Sequence, residues 1–310
     1  MSNDYAIVIV TYNRLELCRE CVQAALGQNV SPSYLVIVNN ASTDGTAEYL
    51  DEMMKKYSNI RVINEKENVG GAGGFHDGIK HAATLPVDWI VIIDDDAILE
   101  KKYVEELLKL QKQFPDCKAL AGVVKVNGKI DTFHRKRVMN PGLQMKNVKI
   151  EEYEKLYFSC DIASFCGLMI ASQMVDIVGL PYKEYFIIND DTEYCLRLRE
   201  KTTCLVSTTA LLNHKTKIIE EVHPRRYNWK DFYEIRNQIW YTRQHGNLFD
   251  IVFCIWHVFS HRVFRNWIFG LVAKAGYDWK VEKALTHRAI LAGKRPLEDD
   301  IMDTDINQLL

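Results

Sequence analysis

Apolar runs and amphipathic stretches alternate over the first hundred residues, and the alternation predicts strands followed by helices. Tyr5 to Val10 is an unbroken apolar run, and residues 15–26 carry apolar positions at helical spacing. Leu35-Val36-Ile37-Val38 predicts a second short strand. The capping and turn residues Asn39 to Gly45 close it, ahead of a helix over 46–56. Ile60-Arg61-Val62-Ile63 predicts a third strand, and Asp88 to Ile93 a fourth. Runs this apolar belong to strands buried on both faces. Their alternation with helices predicts an α/β fold with a mostly parallel sheet flanked by helices.

The fourth strand runs straight into Asp94-Asp95-Asp96. Ligands of open α/β sheets bind beyond the carboxyl ends of the strands. Three acids at such an end repel one another unless something cationic sits among them, and a hard divalent ion holding a phosphate meets that need. The competing reading is a solvated acidic turn before a helix that starts near Leu99. Between the third and fourth strands lies Asn68-Val69-Gly70-Gly71-Ala72-Gly73-Gly74-Phe75. It reads as a loop whose backbone comes close to a ligand, ahead of a helix N-terminus that favours anions, or else as a plain flexible loop. The dinucleotide fingerprint G-x-G-x-x-G fails here, because His76 stands where the last Gly belongs, and no P-loop motif exists.

The second half of the chain is patterned less regularly. Residues 101–114 predict an amphipathic helix closed by Pro115, and residues from 118 read first as strand, then as mixed sequence. The basic run His134-Arg135-Lys136-Arg137 reads as a solvated loop, with acceptor or phosphate binding as the other use. Residues 162–170 carry small residues that leave room for a ligand and would equally suit tight core packing. Apolar residues then deliver Asp190-Asp191 to the start of a helix, where a carboxylate serves equally as a cap or as a catalytic base. Asn213-His214 follows a strand-like stretch over 204–212; a lone His such as His214 or His223 is usually a core or surface residue, though imidazole can also join carboxylates around a metal ion.

Composition narrows the class. The 310 residues carry a net charge of -2, which argues against a nucleic-acid partner. Met1-Ser2-Asn3-Asp4 lacks the basic start of a secretory leader, and the eight Cys follow no disulfide spacing; both suit a cytoplasmic protein. Cys18 and Cys21 form a lone CxxC, read as two helical thiols. Between residues 215 and 295 there are 15 Lys and Arg against 7 Asp and Glu. Charged residues interrupt the aromatic, apolar stretch 248–273, so it suits a membrane surface or subunit contact better than a span.

Taken in order, four segments resemble the motifs of the nucleotide-sugar half of a family 2 glycosyltransferase with the GT-A fold. They are Val10-Thr11-Tyr12-Asn13-Arg14, residues 38–46, Asn68-Val69-Gly70-Gly71 and Asp94-Asp95-Asp96. The segment from Gly70 to Phe75 is most similar to the galactofuranosyltransferase branch, with some rhamnosyltransferases alike. The resemblance spans roughly residues 5–240 and implies a GT-A domain over 1–215. A helical region over 216–310 would then serve acceptor, membrane-surface or oligomer contacts.

The resemblance further implies an inverting enzyme that moves a sugar, galactofuranose first, from a UDP-sugar to a hydroxyl of a surface polysaccharide or lipid-linked glycan. The cytoplasm, at the inner face of the membrane, would be its place, and a homo-oligomer is compatible with it. By the same resemblance Asp94, Asp96 and His214 hold Mn²⁺ or Mg²⁺, and Asp191 is the general base with Asp190 beside it. Thr11, Asn13, Arg14, Asn39, Asn68, Gly70, Gly71, Asp95 and Arg236 contact nucleoside or phosphate. One departure is Asn39, where the family usually has the Asp that binds uracil, and this leaves the base open. A dTDP-rhamnosyltransferase and a non-catalytic nucleotide-sugar-binding assembly partner are the alternatives.

Overall fold

The computed structural model describes residues 4–216, 228–261 and 279–294. His223, residues 262–273 of the apolar stretch and the acidic tail from Glu298 lie outside them. The described chain forms two compact units. The first consists of residues 4–137, Lys146–Lys183 and Asp191–Thr216; the second of Val138–Met145, Glu184–Asp190 and the described residues from 228 onward.

In the first unit the predicted alternation is realised. Strand β1 (Tyr5–Thr11) is followed by α1 (Leu15–Leu26), β2 (Tyr34–Asn39), α2 (Thr46–Lys56), β3 (Ile60–Asn64), α3 (Gly70–Ala83) and β4 (Trp89–Asp94). Strand β5 (Ala97–Leu99) comes next, then α4 (Tyr103–Gln113), β6 (Ala119–Val126), β7 (Lys129–Ile130), β8 (Arg135–Met139) and β9 (Gln144–Asn147). The remaining elements before residue 216 are β10 (Tyr157–Cys160), β11 (Ile162–Ala163), β12 (Leu168–Ala171), α5 (Met174–Val178), α6 (Asp190–Leu198) and β13 (Cys204–His214).

The main sheet has the order β10-β13-β6-β12-β4-β1-β2-β3, with β5 on β13 and β7 on β6. Strands β4, β1, β2 and β3 run parallel, while β12 enters antiparallel between β4 and β6. Trp89 to Ile93 are buried on both faces, as their unbroken apolar run required. Each such side chain contributes about 1.5–3 kcal/mol by leaving water.

Three expectations change. The residues after Asp96 form the short strand β5, and the helix begins at Tyr103 rather than near Leu99. The Gly-rich segment is no loop, since Gly70 opens the 14-residue helix α3. Its glycines let the helix lie directly on the sheet: a Cβ at Gly74 would stand 2.5 Å from Val10, and one at Gly78 2.5 Å from Val8 and 3.0 Å from Val38. Close packing outweighs the roughly 1 kcal/mol that each Gly costs a helix. The basic run at 134–137 is not a solvated loop either. It leads into β8, and the Arg135 guanidinium is fully buried, donating to the carbonyls of Gly122, His134 and Cys166.

The second unit is built around α7 (Trp229–His245), α8 (Leu248–Phe259) and a last helix, Trp279–Gly293. Asn228 with Asp231 and Asn247 with Asp250 form capping boxes that start α7 and α8. Phe232, Ile235 and Ile239 of α7 pack with Cys254, Val258, Leu285 and Ala289 in one core. Helix α7 also clamps the segment 184–188. Asn237, fully buried, donates its amide to the carbonyls of Tyr185, Ile187 and Ile188, and Arg236 donates to those of Glu184 and Tyr185. Phe186, Ile188 and Asn189 all have φ between 61° and 69°. For a β-branched Ile this left-handed conformation is strained and persists only when its surroundings enforce it.

Two stability predictions follow from these contacts. Gly78→Ala gains about 1 kcal/mol of helix propensity but overpacks against Val8 and Val38, which costs about 1–3 kcal/mol. Its midpoint in urea should fall, whereas Gly71→Ala, whose Cβ meets nothing within 4 Å, should hold or raise it. Asn237→Asp keeps the shape but removes the donors to three carbonyls. It should destabilise by about 1–3 kcal/mol in chemical denaturation.

Candidate active site

Strand register assembles the site. Val10 pairs with Asp94, Thr11 with Asn39, and Asn39 with Asn64, so the polar ends of β4, β1, β2 and β3 stand in one row at the carboxyl edge of the sheet. The chain turns back after Asp96 into β5, which pairs antiparallel with the end of β13 and sets Ala97 opposite His214. The Lys215 amide donates to the Asp96 carbonyl at 2.8 Å, fixing that juncture. Beneath it the thiol of Cys21 rests against the carbonyls of Asp94 and Ala97, so Cys18 and Cys21 are buried helical thiols.

The three acids occupy different surroundings. Asp95 is buried and accepts from the Thr11 hydroxyl at 2.8 Å and from Arg14 Nη1 at 3.1 Å. The same Arg14 nitrogen reaches Asp96 at 2.9 Å, and His214 Nε2 lies 3.0 Å from the other Asp96 oxygen. Burial raises Asp95 despite Thr11 and Arg14. Burial also opposes ionisation of Asp96, but His214 and Arg14 outweigh it and hold Asp96 below the usual carboxylate range. Asp94 has burial and the Asp96 charge against it and is pushed up to about 7. Desolvation of His214 is overcome by Asp96 and Asp94, which raise it.

Asp94, Asp96 and His214 each bring a ligand atom within 4.8 Å of the other two. Two carboxylates and an imidazole suit a hard or borderline divalent ion such as Mn²⁺ or Mg²⁺. The buried Nδ1 of His214 has no hydrogen-bond partner among the described residues, so their contacts do not exhaust the ring's bonding capacity. A second group at the same spacing, His134, Cys166 and His214, shares that imidazole. Its His134 ring stands edge-on to His214 at 5.1 Å, while His134 Nδ1 is taken up with Ser164 at 2.8 Å.

The residues read as nucleoside or phosphate contacts stand along the same edge, several committed to shaping it. Asn13, at φ 52°, accepts from the Thr43 amide, and its own amide donates to Ser42. Asn39 is buried, donating to Asn64 and accepting from the Ser42 amide. Asn68 accepts from the Gly70 amide and from Asn40, and Asn40 accepts in turn from the Val69 amide. Gly70 takes φ 74°, and Gly71 faces open space at the first turn of α3. Arg236 belongs to the second unit, with its guanidinium on the carbonyls described above.

Asp191 lies on the first turn of α6, half-buried. The amide and hydroxyl of Thr192 both donate to its Oδ1, at 2.5 and 3.1 Å. Burial raises this carboxyl, against Lys136, Thr192 and Arg135, which pull it down. Asp190, the first residue of α6, is buried. Three further side chains lie by these groups, His134 and Cys166 beside His214 and Lys136 close enough to act on Asp191. His134 is one, held neutral by burial and by Arg135 at a value of about 3. Cys166 and Lys136 are the others; only the local basic run and the small-residue strand hinted at them.

The comparisons with known proteins agree with this fold. The family model described as glycosyl transferase family 2 matches residues 6–174. Galactofuranosyltransferase GlfT1 of Mycolicibacterium smegmatis is 28% identical over 198 residues, covering 62% of this chain and 64% of that one. The dTDP-rhamnosyl transferase RfbF of Shigella flexneri is 27% identical over 198 residues, covering 63% of each. The chain thus spans just under two thirds of the length of these relatives. TarS 1-349 of S. aureus in complex with UDP-GlcNAc matches with a TM-score of 0.60 at 13% identity, over 95% of this chain and 82% of that one. GalNAc-T7 with UDP, GalNAc and Mn²⁺ matches with a TM-score of 0.61 at 13% identity, over 77% and 47%. At that identity the likeness establishes the shared GT-A fold. With the family model covering more than half of it, the chain belongs to glycosyl transferase family 2.

Proposed function

We propose that the chain is an inverting, metal-dependent glycosyltransferase that takes a sugar from a nucleoside diphosphate donor. The observation that carries this reading is the convergence of Asp94, Asp96 and His214 at the strand ends, with a separate carboxylate, Asp191, on the first turn of α6. A bound Mn²⁺ or Mg²⁺ would neutralise charge on the leaving diphosphate. Arg14, half-exposed and already beside two of the acids, adds positive charge on the same side. The row Asn13, Asn39, Asn68, Gly70 and Gly71 borders the space for the nucleoside and phosphates. Asp191, raised by burial, accepts the proton of the acceptor hydroxyl as it attacks the anomeric carbon. Asp190 supports it from the preceding position.

UDP-galactofuranose is the first donor to test. The GlfT1 relative supports it, the RfbF relative supports dTDP-rhamnose as the second, and Asn39 in place of the usual Asp keeps both bases open. The acceptor is a hydroxyl of a surface polysaccharide or lipid-linked glycan. Contact with a membrane surface fits the second unit, where Leu248, Phe249, Val252, Trp256 and Phe259 are exposed along one face of α8. No helix among the described residues is long and apolar enough to cross a membrane.

Three measurements test this reading. Asp191→Asn should keep UDP binding and lower transfer by roughly 10²-fold or more, and near wild-type transfer would place the base elsewhere. Metal ligation requires Asp94 ionised and His214 deprotonated, and both stand above their ordinary values. Mn²⁺-dependent UDP affinity in calorimetry should therefore rise as pH climbs through about 7, with protons released; a flat profile would contradict the assignment. For the membrane contact, flotation with anionic vesicles at low salt should succeed, fail at high salt and fail in Phe249→Glu/Trp256→Glu. Self-association of the wild type without flotation would assign the α8 face to an oligomer instead.

A further inference from the structure

Three donors that are softer as a set than the strand-end acids meet beside them. His134, Cys166 and His214 each bring a ligand atom within 4.8 Å of the other two, and all three belong to the first unit. One buried guanidinium ties two of their backbones together. Arg135 donates to the carbonyl of His134 at 2.8 Å and to that of Cys166 at 3.1 Å. Gly167, next to Cys166, donates its amide at 3.0 Å to the carbonyl of Ile92, on the strand that ends at Asp94. His214 is set by the pairing of β13 with β5. The donors are thus held by the sheet, as a preformed site requires.

The side chains also have bonding capacity to spare. The buried Nδ1 of His214 has no hydrogen-bond partner among the described residues. His134 Nδ1 meets Ser164 Oγ at 2.8 Å; with that nitrogen protonated toward the hydroxyl, Nε2 keeps its lone pair. Carboxylates that favour a cation stand by both rings, Asp131 at 3.7 Å from His134 Nε2 and Asp96 at 3.0 Å from His214 Nε2. Cys166 is buried, and burial together with the Asp94 charge keeps its thiol protonated and inert. A dication in contact with the sulfur displaces that proton to solvent and takes the sulfur as thiolate.

Donor chemistry separates this group from its neighbour. Two carboxylates and an imidazole suit Mn²⁺ or Mg²⁺, whereas a thiolate with two imidazoles selects a softer ion, zinc above all. Both groups draw on the His214 ring. An imidazole bound to Zn²⁺ at about 2.0–2.1 Å is no longer free to follow the other ion, and two dications sharing one ring repel each other.

We propose that His134, Cys166 and His214 form an inhibitory Zn²⁺ site, in which zinc competes for the His214 imidazole with the divalent ion at Asp94 and Asp96. Zinc binding is independent of the catalytic reading; the competition rests on His214 serving the catalytic ion.

The test uses the full chain, with Co²⁺ as a spectroscopic stand-in for Zn²⁺. Wild-type protein titrated with Co²⁺ should develop the near-ultraviolet absorption of a cobalt–thiolate bond, and added Zn²⁺ should remove it. Cys166→Ala should lack that absorption. Zn²⁺ affinity in calorimetry should fall at least roughly tenfold in Cys166→Ala and in His134→Gln. No cobalt–thiolate absorption in the wild type, or absorption that survives Cys166→Ala, would overturn the site.

For the competition, UDP binding is measured in Mn²⁺ with and without Zn²⁺ at about ten times its wild-type dissociation constant. Zinc should weaken UDP binding roughly tenfold in the wild type and about twofold or less in Cys166→Ala. In Mn²⁺ alone the variant should bind UDP as the wild type does, which shows that it folds. No effect of zinc on the wild type, or equal effects on both proteins, would overturn the inhibition. A wild type that binds no UDP in Mn²⁺ would count against the donor reading instead, and the cobalt titration would still decide the site.

Discussion

Crowding of carboxylates at the end of a fully buried strand is the constraint around which the first unit is arranged. Asp94, Asp95 and Asp96 follow five buried apolar residues and cannot move away from the sheet edge without unpairing β4. Like charges this close, partly out of water, are tolerated only with compensation. Arg14 supplies it from the end of β1, Thr11 by a hydrogen bond, and His214 from a strand more than a hundred residues later. Even so Asp94 is left well above its ordinary range. The protein's own cations balance the cluster in part, and in the proposed reading a divalent ion would balance the remainder.

The same economy separates the two chemical tasks. In the proposed mechanism, charge at the leaving group would be handled by groups at the ends of β1, β4 and β13, which are anchored in the main sheet. Proton removal would fall in that mechanism to Asp191 on α6, which follows in sequence the strained segment that Asn237 and Arg236 hold. The two acid clusters therefore have independent supports, and their pKa values are set by different neighbours. A group that must stay ionised for a metal and a group that must accept a proton benefit from that separation.

How much of this the sequence disclosed depended on whether the cause was local. Strands β1, β2 and β4 were legible because a run buried on both faces must be apolar throughout, and the acids after β4 stood out against it. Helix α3 was read as a loop because Gly dominates local propensity, whereas its stability comes from lying against Val8, Val10 and Val38 of two strands. Strand β5 could not be read, since three residues become a strand only through pairing with β13. His214 was read as a ligand by resemblance rather than by pattern, and Arg236, read as a phosphate contact by the same resemblance, has its guanidinium on the carbonyls of Glu184 and Tyr185. The basic run 134–137 was read as a solvated loop because charge usually seeks water, whereas Arg135 is buried and donates to three backbone carbonyls.

The account stands or falls on the ion-binding role of the strand-end acids. Crystals grown with UDP and Mn²⁺ and measured at the manganese absorption edge address it directly. The account predicts one anomalous peak in contact with Asp94, Asp96 and His214 and with the diphosphate of UDP. UDP bound at the carboxyl edge with no anomalous peak there, or a peak held by other residues, would contradict it.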